Sequence, residues 1–324
     1  MNIKEFLLVS LAALSLAFGI FACHKAIAIT TISMIHPHAG IHSLNSYSAT
    51  QDLKLTSAQL EMVAYLQDIS VTIMTREGSG SGVIMNRDGV CYVWTAGHVV
   101  SSCKRTRKVL DEHGQSKTLV EFDHVFVVKD IVENGRTVGS ITSKAEIIRY
   151  SGPDFGHDLA LLKLGKLDFV KNSVKFHLDN TIPANGTELY HVGSLLGPMG
   201  SCSVTMGIYS QQGRQYLGKI YDQTSCPAFP GSSGGGVFLK ENGTYVGMLV
   251  RAAGETFNFI VPIRRMQEWA KKNNCMWALD NTIKVDDSEH AIENPEESDT
   301  IMPDATEGSI QGIPVPPHSR SHRK

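Results

Sequence analysis

The sequence predicts an antiparallel all-β domain with a helix on each side, and its strand pattern and its composition favour this class. Short β-prone runs separated by turn residues recur through the middle of the chain, as in residues 83–85 before the Asn-Arg-Asp-Gly turn at 86–89. The composition, 42% hydrophobic residues with 29 glycines among 324 residues, allows a buried core and many tight turns. The formal net charge of -2 provides no basic field, which argues against nucleic acid as a partner.

The first 28 residues have the features of a targeting segment. Lys4 precedes an apolar run over residues 6–22 that is short for a membrane span, and residues 26–28 (Ala-Ile-Ala) offer a cleavage site. Secretion with cleavage, a lipoprotein signal at Cys23 and an uncleaved membrane anchor are three alternatives. Each of them places the remaining chain outside the cytoplasm, in the periplasm, the cell envelope or the medium.

A linker and a helix follow the targeting segment. Residues 29–55 are rich in Ser, Thr, His and Ile and contain neither a repeat nor a helix cap, so they indicate a linker. Thr56 followed by Gln59 has the form of a capping box and predicts that a helix begins there. The main domain is therefore expected to begin at residue 56.

A second helix is predicted near the end of the domain. Pro262 suits its first turn, and its apolar face would carry Ile263, Met266, Trp269 and Ala270. We interpret this stripe as core packing and not as a partner-binding face.

The chain from Asp280 onward is polar. It is acidic at 286–289 and 296–299 and has no apolar periodicity, which is typical of a disordered segment. We therefore assign residues 279–324 to a polar tail and residues 56–278 to the main domain.

The most informative motif is residues 231–235, Gly-Ser-Ser-Gly-Gly, because such a pattern holds a serine on a tight turn with exposed backbone. The turn can direct the N–H groups of Gly231 and Ser233 at one point, where a carbonyl oxygen becomes negative during acyl transfer. Ser233 is therefore a candidate nucleophile. It is preferred to Ser232 because only Ser233 is followed by two glycines and preceded at two positions by Gly231.

A candidate base and a candidate acid accompany this serine. His98 ends an apolar β-prone run and could take the Ser233 proton and return it to a leaving amine. Asp158 directly precedes residues 159–164, a run that predicts a fully buried strand, so its carboxylate needs a partner. An imidazole N–H would supply that partner and fix the histidine tautomer. The chain order His98, Asp158, Ser233 is that of chymotrypsin.

These blocks resemble those of trypsin-like serine proteases of the chymotrypsin fold, and most closely those of the HtrA (Deg) group. Residues 95–98 (Thr-Ala-Gly-His), 158–163 and 231–235 carry the resemblance, which extends over roughly residues 71–272. It implies two six-stranded antiparallel β-barrels with the site in the cleft between them, a short N-terminal helix and a closing C-terminal helix. No cofactor is expected, and the polar tail is too short for the PDZ domain that usually follows in that group.

The resemblance also indicates where a substrate side chain would bind. In proteases of this fold the primary pocket is lined by the segment before the serine and by a strand after it, which points here to Ala228, Leu249, Val250 and Arg251. Because residues 225–229 contain no carboxylate, we expect a pocket that prefers uncharged side chains.

The cysteines suggest disulfides. Cys91 and Cys103 bracket His98, and comparable proteases hold the histidine loop with a bridge there. Cys202 and Cys226 flank a predicted hairpin and form a second candidate pair. The sequence leaves both connectivities open, and this use of cysteine agrees with an extracytoplasmic location. No cysteine pair has the spacing of a zinc site.

The sequence thus predicts an extracytoplasmic serine endopeptidase that hydrolyses protein or peptide substrates through an acyl-enzyme. The alternative is a non-catalytic binding or scaffold protein of the same fold. Its motivation is the unusual turn, in which Ser232 stands where the family usually has Asn or Asp and Gly236 where Pro is frequent. Attachment to a membrane through the N-terminus is a further alternative for its location.

Overall fold

A computed structural model gives the architecture of the central part of the chain. It describes residues 56–133, 136–166, 169–179, 181–252 and 256–286, and the backbone of 291–292. The predicted targeting segment, the predicted linker and most of the predicted tail lie outside the described residues. Among the residues described, no helix is long and apolar enough to cross a membrane.

The first half of the domain forms a closed barrel. Its strands are β1 (Ser70–Met74), β2 (Ser79–Arg87), β3 (Val90–Thr95), β4 (Lys104–Leu110), β5 (Ser116–Phe122), β6 (Val125–Glu133), β7 (Arg136–Ser151) and β8 (Leu159–Leu164). Six of them pair in the order β7-β6-β1-β2-β3-β8, and β7 also pairs with β8, which closes the barrel. Strands β4 and β5 form a separate two-stranded sheet.

The second half forms another closed antiparallel barrel, in the order β10-β11-β14-β13-β12-β9. Its strands are β9 (Glu188–Gly193), β10 (Ser203–Tyr216), β11 (Lys219–Thr224), β12 (Gly236–Leu239), β13 (Tyr245–Ala252) and β14 (Asn258–Pro262). A two-residue strand, β15 (Ala291–Ile292), pairs in parallel with β7. The predicted fold class, two six-stranded antiparallel barrels, is confirmed.

Both predicted helices are present, at α1 (Ser57–Asp68) and α3 (Ile263–Lys272), and a short helix α2 (Gly97–Val100) lies between them. Thr56 and Gln59 form the reciprocal capping box at the start of α1. The predicted apolar face of α3 is buried, and its Trp269 ring packs edge-on against Trp94 of β3 at 5.8 Å between ring centroids. Helix α3 therefore joins the end of the second barrel to the first barrel.

The predicted bridge between Cys91 and Cys103 does not form, because Cys103 is a free thiol. Cys91 is buried in the first barrel, with its sulfur 3.4 Å from the carbonyl oxygen of Val170. The histidine loop is instead held by hydrogen bonds, among them one from the Ser101 hydroxyl to the carbonyl of His98 at 2.9 Å.

The predicted bridge between Cys202 and Cys226 is also wrong, since both are free thiols. The Cys202 sulfur lies 3.8 Å from the carbonyl oxygen of Gln67, at the end of α1, whereas the Cys226 sulfur lies 3.7 Å from that of Leu189 in the second barrel. The hairpin that they flank is present as β10 and β11, but the two sulfurs point into different parts of the core.

Candidate active site

The loop that carries His98 begins where β3 ends. Strand β3 finishes at Thr95 and α2 begins at Gly97, so His98 lies in the first turn of this short helix. Only glycine fits at position 97, since a Cβ there would collide with the carbonyl of Ser151 and lie 3.3 Å from the carbonyl carbon of Asp158. This close approach brings the backbone that carries His98 against the backbone that carries Asp158.

The His98 side chain is bonded to the Asp158 carboxylate. Its Nδ1 lies 3.0 Å from both carboxylate oxygens, and the His98 backbone N–H donates to Oδ1 at 2.8 Å. Asp158 is fully buried, whereas a third of the His98 side chain is exposed. With Nδ1–H donating to the carboxylate, Nε2 is left as an acceptor on the exposed side of the ring.

The electrostatics keep this carboxylate ionised. Burial by itself would raise the pKa of Asp158, but the hydrogen bonds and the charge of His98, together with the charge of Arg251, hold that pKa below its ordinary value. Asp158 is therefore a permanent acceptor for Nδ1 near neutral pH. In the described part of the chain, no three His, Cys, Asp or Glu side chains come together as ligands for a metal ion.

Ser232 closes the turn that precedes β12. It is fully buried, its hydroxyl accepts from the N–H of Phe229 at 3.1 Å, and its own N–H donates to the Phe229 carbonyl at 2.9 Å. Its carbonyl accepts from Gly235 at 3.0 Å. Ser233 is only half-buried, and its hydroxyl has no hydrogen-bond partner among the described residues. The two adjacent serines therefore have different environments: the Ser232 hydroxyl is bonded within the turn, and the Ser233 hydroxyl is left unbonded.

The remaining carbonyl groups of the turn are bonded to other elements. Leu196 N–H donates to the Pro230 carbonyl at 2.7 Å, the Ser81 hydroxyl donates to the Gly231 carbonyl at 2.7 Å, and Ser81 N–H donates to the Ser233 carbonyl at 2.7 Å. Every carbonyl from residue 229 to 233 thus has a donor. Such complete pairing fixes the orientation of each peptide plane in the turn.

Two N–H groups of the turn, those of Gly231 and Ser233, have no acceptor among the described residues. The structure contains no cis peptide bond among these residues, so the Gly231 N–H points away from Leu196, the donor to the preceding carbonyl. Gly231 has a φ of 96°, a backbone conformation that favours glycine. The turn therefore offers two backbone N–H donors, those of Gly231 and Ser233, which flank the peptide unit between Gly231 and Ser232.

The serine turn also contacts the end of β3. Gly234 has a φ of 88°, and a Cβ there would collide with the carbonyl oxygen of Ser81 and with the hydroxyl of Thr95. Thr95 lies three residues before His98. The structure thus brings the three predicted blocks together, with His98 and Asp158 on the first barrel and the Ser233 turn on the second.

The residues predicted to line the substrate pocket follow the turn closely. The carbonyl of Leu249 accepts from Gly234 at 2.8 Å, and the N–H of Leu249 donates to Gly235 at 3.0 Å. Leu249, Val250 and Ala228 are 2%, 3% and 7% exposed. Ala228 and Leu249 pack in one apolar cluster of the second barrel, whereas Val250, on the other face of β13, packs in the larger cluster that contains Trp94 and Trp269. The structure therefore brings Ala228 and Leu249 together and places Val250 apart from them.

Arg251, the fourth residue predicted to line the pocket, makes its contacts outside the serine turn. Its Nη2 donates to the carbonyl of Pro153 at 3.2 Å, in the loop before Asp158, and its guanidinium lies 5.5 Å over the ring of Tyr216. The contact with Pro153 joins β13 to the first barrel, and the contact with Tyr216 lies within the second. The guanidinium is therefore engaged with the loop before Asp158.

Sequence reasoning missed the residues that hold the turn from outside. Ser81, Ser194, Leu196 and the fully buried His191 were given no role there. His191 lies behind the turn, with its Nδ1 3.0 Å from the carbonyl oxygen of Gly236. A serine between two glycines at residues 80–82 was the available signal, because it allows a close approach of backbone on both sides.

Comparison with known proteins gives the class of the chain. The trypsin-like peptidase domain family matches residues 80–248, which is 169 of the 324 residues and includes all three blocks. The chain belongs to this family of peptidase domains. No curated protein matches the sequence.

Solved structures similar to this chain include HtrA-type proteases. The serine endoprotease from Yersinia pestis has 22% identity and a TM-score of 0.48, with 68% of this chain and 67% of that chain covered. The HtrA-type protease AlgW with a tripeptide has 21% identity and a TM-score of 0.48, over 69% and 64%. Deg5 has 21% identity and a TM-score of 0.48, over 67% and 95%.

Proposed function

We propose that the chain hydrolyses peptide bonds with Ser233 as nucleophile, His98 as general base and acid, and Asp158 as the group that orients His98. The observation that carries this proposal is the hydrogen-bond pattern of the serine turn. All carbonyls from residue 229 to 233 are bonded, and the N–H groups of Gly231 and Ser233 are left over. Donors that are fixed in place and have no acceptor of their own are what a developing oxyanion requires.

In the proposed reaction, the Ser233 hydroxyl attacks the carbonyl carbon of the substrate while its proton passes to His98 Nε2. The carbonyl oxygen becomes negative and accepts hydrogen bonds from Gly231 and Ser233. When the C–N bond breaks, the leaving amine takes the proton from His98. Water then repeats the sequence on the acyl-enzyme, with His98 again removing and returning a proton, and releases the acid product.

Asp158 has an electrostatic part in this sequence. His98 gains a positive charge in each tetrahedral intermediate, and a buried carboxylate 3.0 Å from Nδ1 stabilises that charge. Because the pKa of Asp158 is held below its ordinary value, the carboxylate accepts from Nδ1 without taking up the proton. The same contact selects the tautomer with a basic Nε2.

The alternative is a binding or scaffold protein of the same fold. Its motivation is that the Ser233 hydroxyl has no hydrogen bond to His98 in the described structure. Such contacts are often long before substrate binds and shorten in the complex, so the geometry is compatible with catalysis.

A fluorophosphonate probe distinguishes the two functions, because it reacts only with an activated serine. We expect the wild-type protein to be labelled on Ser233, Ser232→Ala to retain labelling and Ser233→Ala to lose it, with adducts located by mass spectrometry. A correctly folded wild-type protein that does not react would favour the scaffold. Labelling at Ser232 would identify Ser232, and not Ser233, as the nucleophile.

We further propose that the peptidase acts outside the cytoplasm, with residues 1–28 as a leader, 29–55 as a linker, 56–278 as the peptidase domain and 279–324 as a polar tail. Lys4 and the apolar run after it support the leader. The free thiols of the domain give this location no support. Intact-mass measurement of the protein from membrane and soluble fractions tests the three fates of the leader.

A further inference from the structure

Ser81 on β2 links the two halves of the site through all of its polar atoms. It is fully buried. Its N–H donates to the Ser233 carbonyl at 2.7 Å, and its carbonyl accepts from the Thr95 hydroxyl at 2.7 Å. Thr95 ends the strand that leads to His98, so the backbone of one residue contacts both the serine turn and the strand before the base.

The hydroxyl of Ser81 makes two further contacts, both in the second barrel. It donates to the Gly231 carbonyl at 2.7 Å and accepts from the N–H of Ser194 at 2.7 Å. Ser194 begins the loop in which Leu196 N–H donates to the Pro230 carbonyl. The hydroxyl therefore acts on the Pro230–Gly231 segment from both ends: directly at the Gly231 carbonyl, and through the 194–196 loop at the Pro230 carbonyl.

These contacts determine where the Gly231 N–H can point. The N–H shares one peptide plane with the Pro230 carbonyl, and the Gly231 carbonyl belongs to the next plane. Hydrogen bonds to these two carbonyls therefore fix the plane of the N–H and the plane that follows it. A glycine at a φ of 96° has unusual freedom to rotate, so the plane needs an outside constraint. The Ser81 hydroxyl contributes to that constraint at each of the two carbonyls.

We propose that Ser81 is a positioning residue for the oxyanion-binding turn, and that its hydroxyl keeps the Gly231 N–H aimed at the reacting carbonyl. This inference rests on the proposed function of Ser233 and Gly231. Ser81 touches no reacting atom, so its removal lowers the rate through Gly231. It leaves the contact between His98 and Asp158 unchanged.

The test compares Ser81→Ala with a matched control, Thr72→Val. The Thr72 hydroxyl lies 2.6 Å from that of Ser194 in the same buried network, but it does not contact the serine turn. Both variants remove one buried hydroxyl and should lower the melting temperature by similar amounts. Ser81→Cys is a third variant, which keeps the shape of the side chain and provides a weaker donor.

The main measurement is the second-order rate constant for labelling by a fluorophosphonate, because it does not depend on the peptide preference. We expect a loss of about 10- to 100-fold in Ser81→Ala, smaller than the roughly 10²–10³ for deleting an oxyanion donor. Ser81→Cys should be intermediate, and Thr72→Val should stay within about twofold of wild type. With a fluorogenic peptide, the loss should appear in kcat at nearly constant KM, and the acid limb of the pH profile should not move.

Three results would overturn this role: wild-type rates in folded Ser81→Ala or Ser81→Cys, equal losses in Ser81→Ala and Thr72→Val, or a shifted acid limb, which would mean that Ser81 acts through His98. If Ser81→Ala does not fold, the labelling rate of Ser81→Cys alone tests the role of Ser81. An unreactive wild-type protein would instead contradict the proposed function, so the two failures are distinguishable.

Discussion

The two halves of the site are held by different kinds of interaction. On the first barrel, His98 depends on a single buried carboxylate, with both oxygens of Asp158 3.0 Å from Nδ1. On the second barrel, the serine turn is fixed by neutral hydrogen bonds from several elements, including those from Ser81 and Leu196. The position of His98 thus depends on one charged carboxylate, whereas the position of the serine turn depends on several neutral hydrogen bonds.

This difference should appear in how each half responds to substitution. A neutral hydrogen bond contributes about 1 kcal/mol, so the loss of one group weakens the constraint on the turn while the other bonds still limit how far it can move. The contact between His98 and Asp158 has no such substitute, because it sets both the tautomer and the charge of the base. The first half should therefore be far more sensitive to a single change than the second.

The largest effect is expected from Asp158→Asn. An Asn amide can present a donor to Nδ1 and so select the wrong tautomer, and in chymotrypsin the equivalent change lowers kcat about 10⁴-fold. We expect a loss of that order, measured as kcat on a peptide substrate, with circular dichroism to confirm the fold.

Ser232→Ala is the matched change in the other half, since it removes the single acceptor of the Phe229 N–H. It should cost about 1 kcal/mol of unfolding free energy and less than about tenfold in rate. Near-wild-type activity in folded Asp158→Asn would contradict the assignment of Asp158 as the group that orients His98.

A smaller effect concerns the substrate residue before the cleaved bond. Ala228 and Leu249 are apolar and pack in one cluster, and a buried Arg or Lys would have no counter-charge among residues 225–229. We expect cleavage after small or medium aliphatic residues to exceed cleavage after Arg or Lys by at least about tenfold, a ratio that corresponds to 1.4 kcal/mol. A peptide library that varies only this position measures it.

Arg251→Gln serves as the control for this profile. Because Arg251 donates to the Pro153 carbonyl, its loss should leave the ranking of uncharged residues unchanged. Dominant cleavage after Arg or Lys in the wild type would show that the pocket contains an acidic group that we have not assigned. Dominant cleavage after Asp or Glu would show that Arg251 turns toward the substrate.

The last prediction concerns the stability of the second half of the site in acid and leaves the reaction itself aside. Burial lowers the pKa of His191 from 6.5 to about 4, so the folded protein keeps His191 neutral behind the serine turn. Below pH 6.5 the unfolded chain binds a proton that the folded chain does not. The contribution of His191 to stability is therefore complete above pH 6.5 and is lost as the pH falls toward 4, by about 2 kcal/mol at pH 5.

His191→Gln removes this titration and keeps a side chain that can donate to the Gly236 carbonyl. Between pH 7.5 and pH 5, urea unfolding should show about 2 kcal/mol less loss of stability in the variant than in the wild type. His157, whose pKa burial also lowers to about 4, titrates equally in both proteins and cancels in the difference. The same pH dependence in both proteins would mean that His191 is protonated or solvated in the folded state.

The sequence predicted those features whose interactions are local. The capping box of Thr56 and Gln59 spans three residues, and the apolar face of α3 follows from a helical repeat, so both could be predicted and both are confirmed. The three candidate catalytic blocks could be identified because each is a short pattern of fixed chemistry. The geometry between them stayed a prediction until the fold was known.

The features that failed depend on contacts between distant segments. A disulfide requires two sulfurs to point at each other, and sequence spacing gave no information on the direction of Cys202 or Cys226. Likewise, Ser81 and Gly231 are 150 residues apart in the chain, so no local pattern could reveal the hydrogen bond between them. What the sequence lacked was the relative placement of the two barrels.

The buried thiols have a consequence for how the domain reaches its fold. Burial raises the pKa of Cys226 to about 11 and that of Cys275 to about 12, so both remain protonated at neutral pH, and a protonated thiol is a poor nucleophile. Cys103 and Cys202 are also free, so none of these four cysteines adds an oxidation step to the folding of the described domain. Its refolding should therefore have the same rate and yield with or without a reductant, free of the slow reshuffling that limits disulfide-bonded proteins.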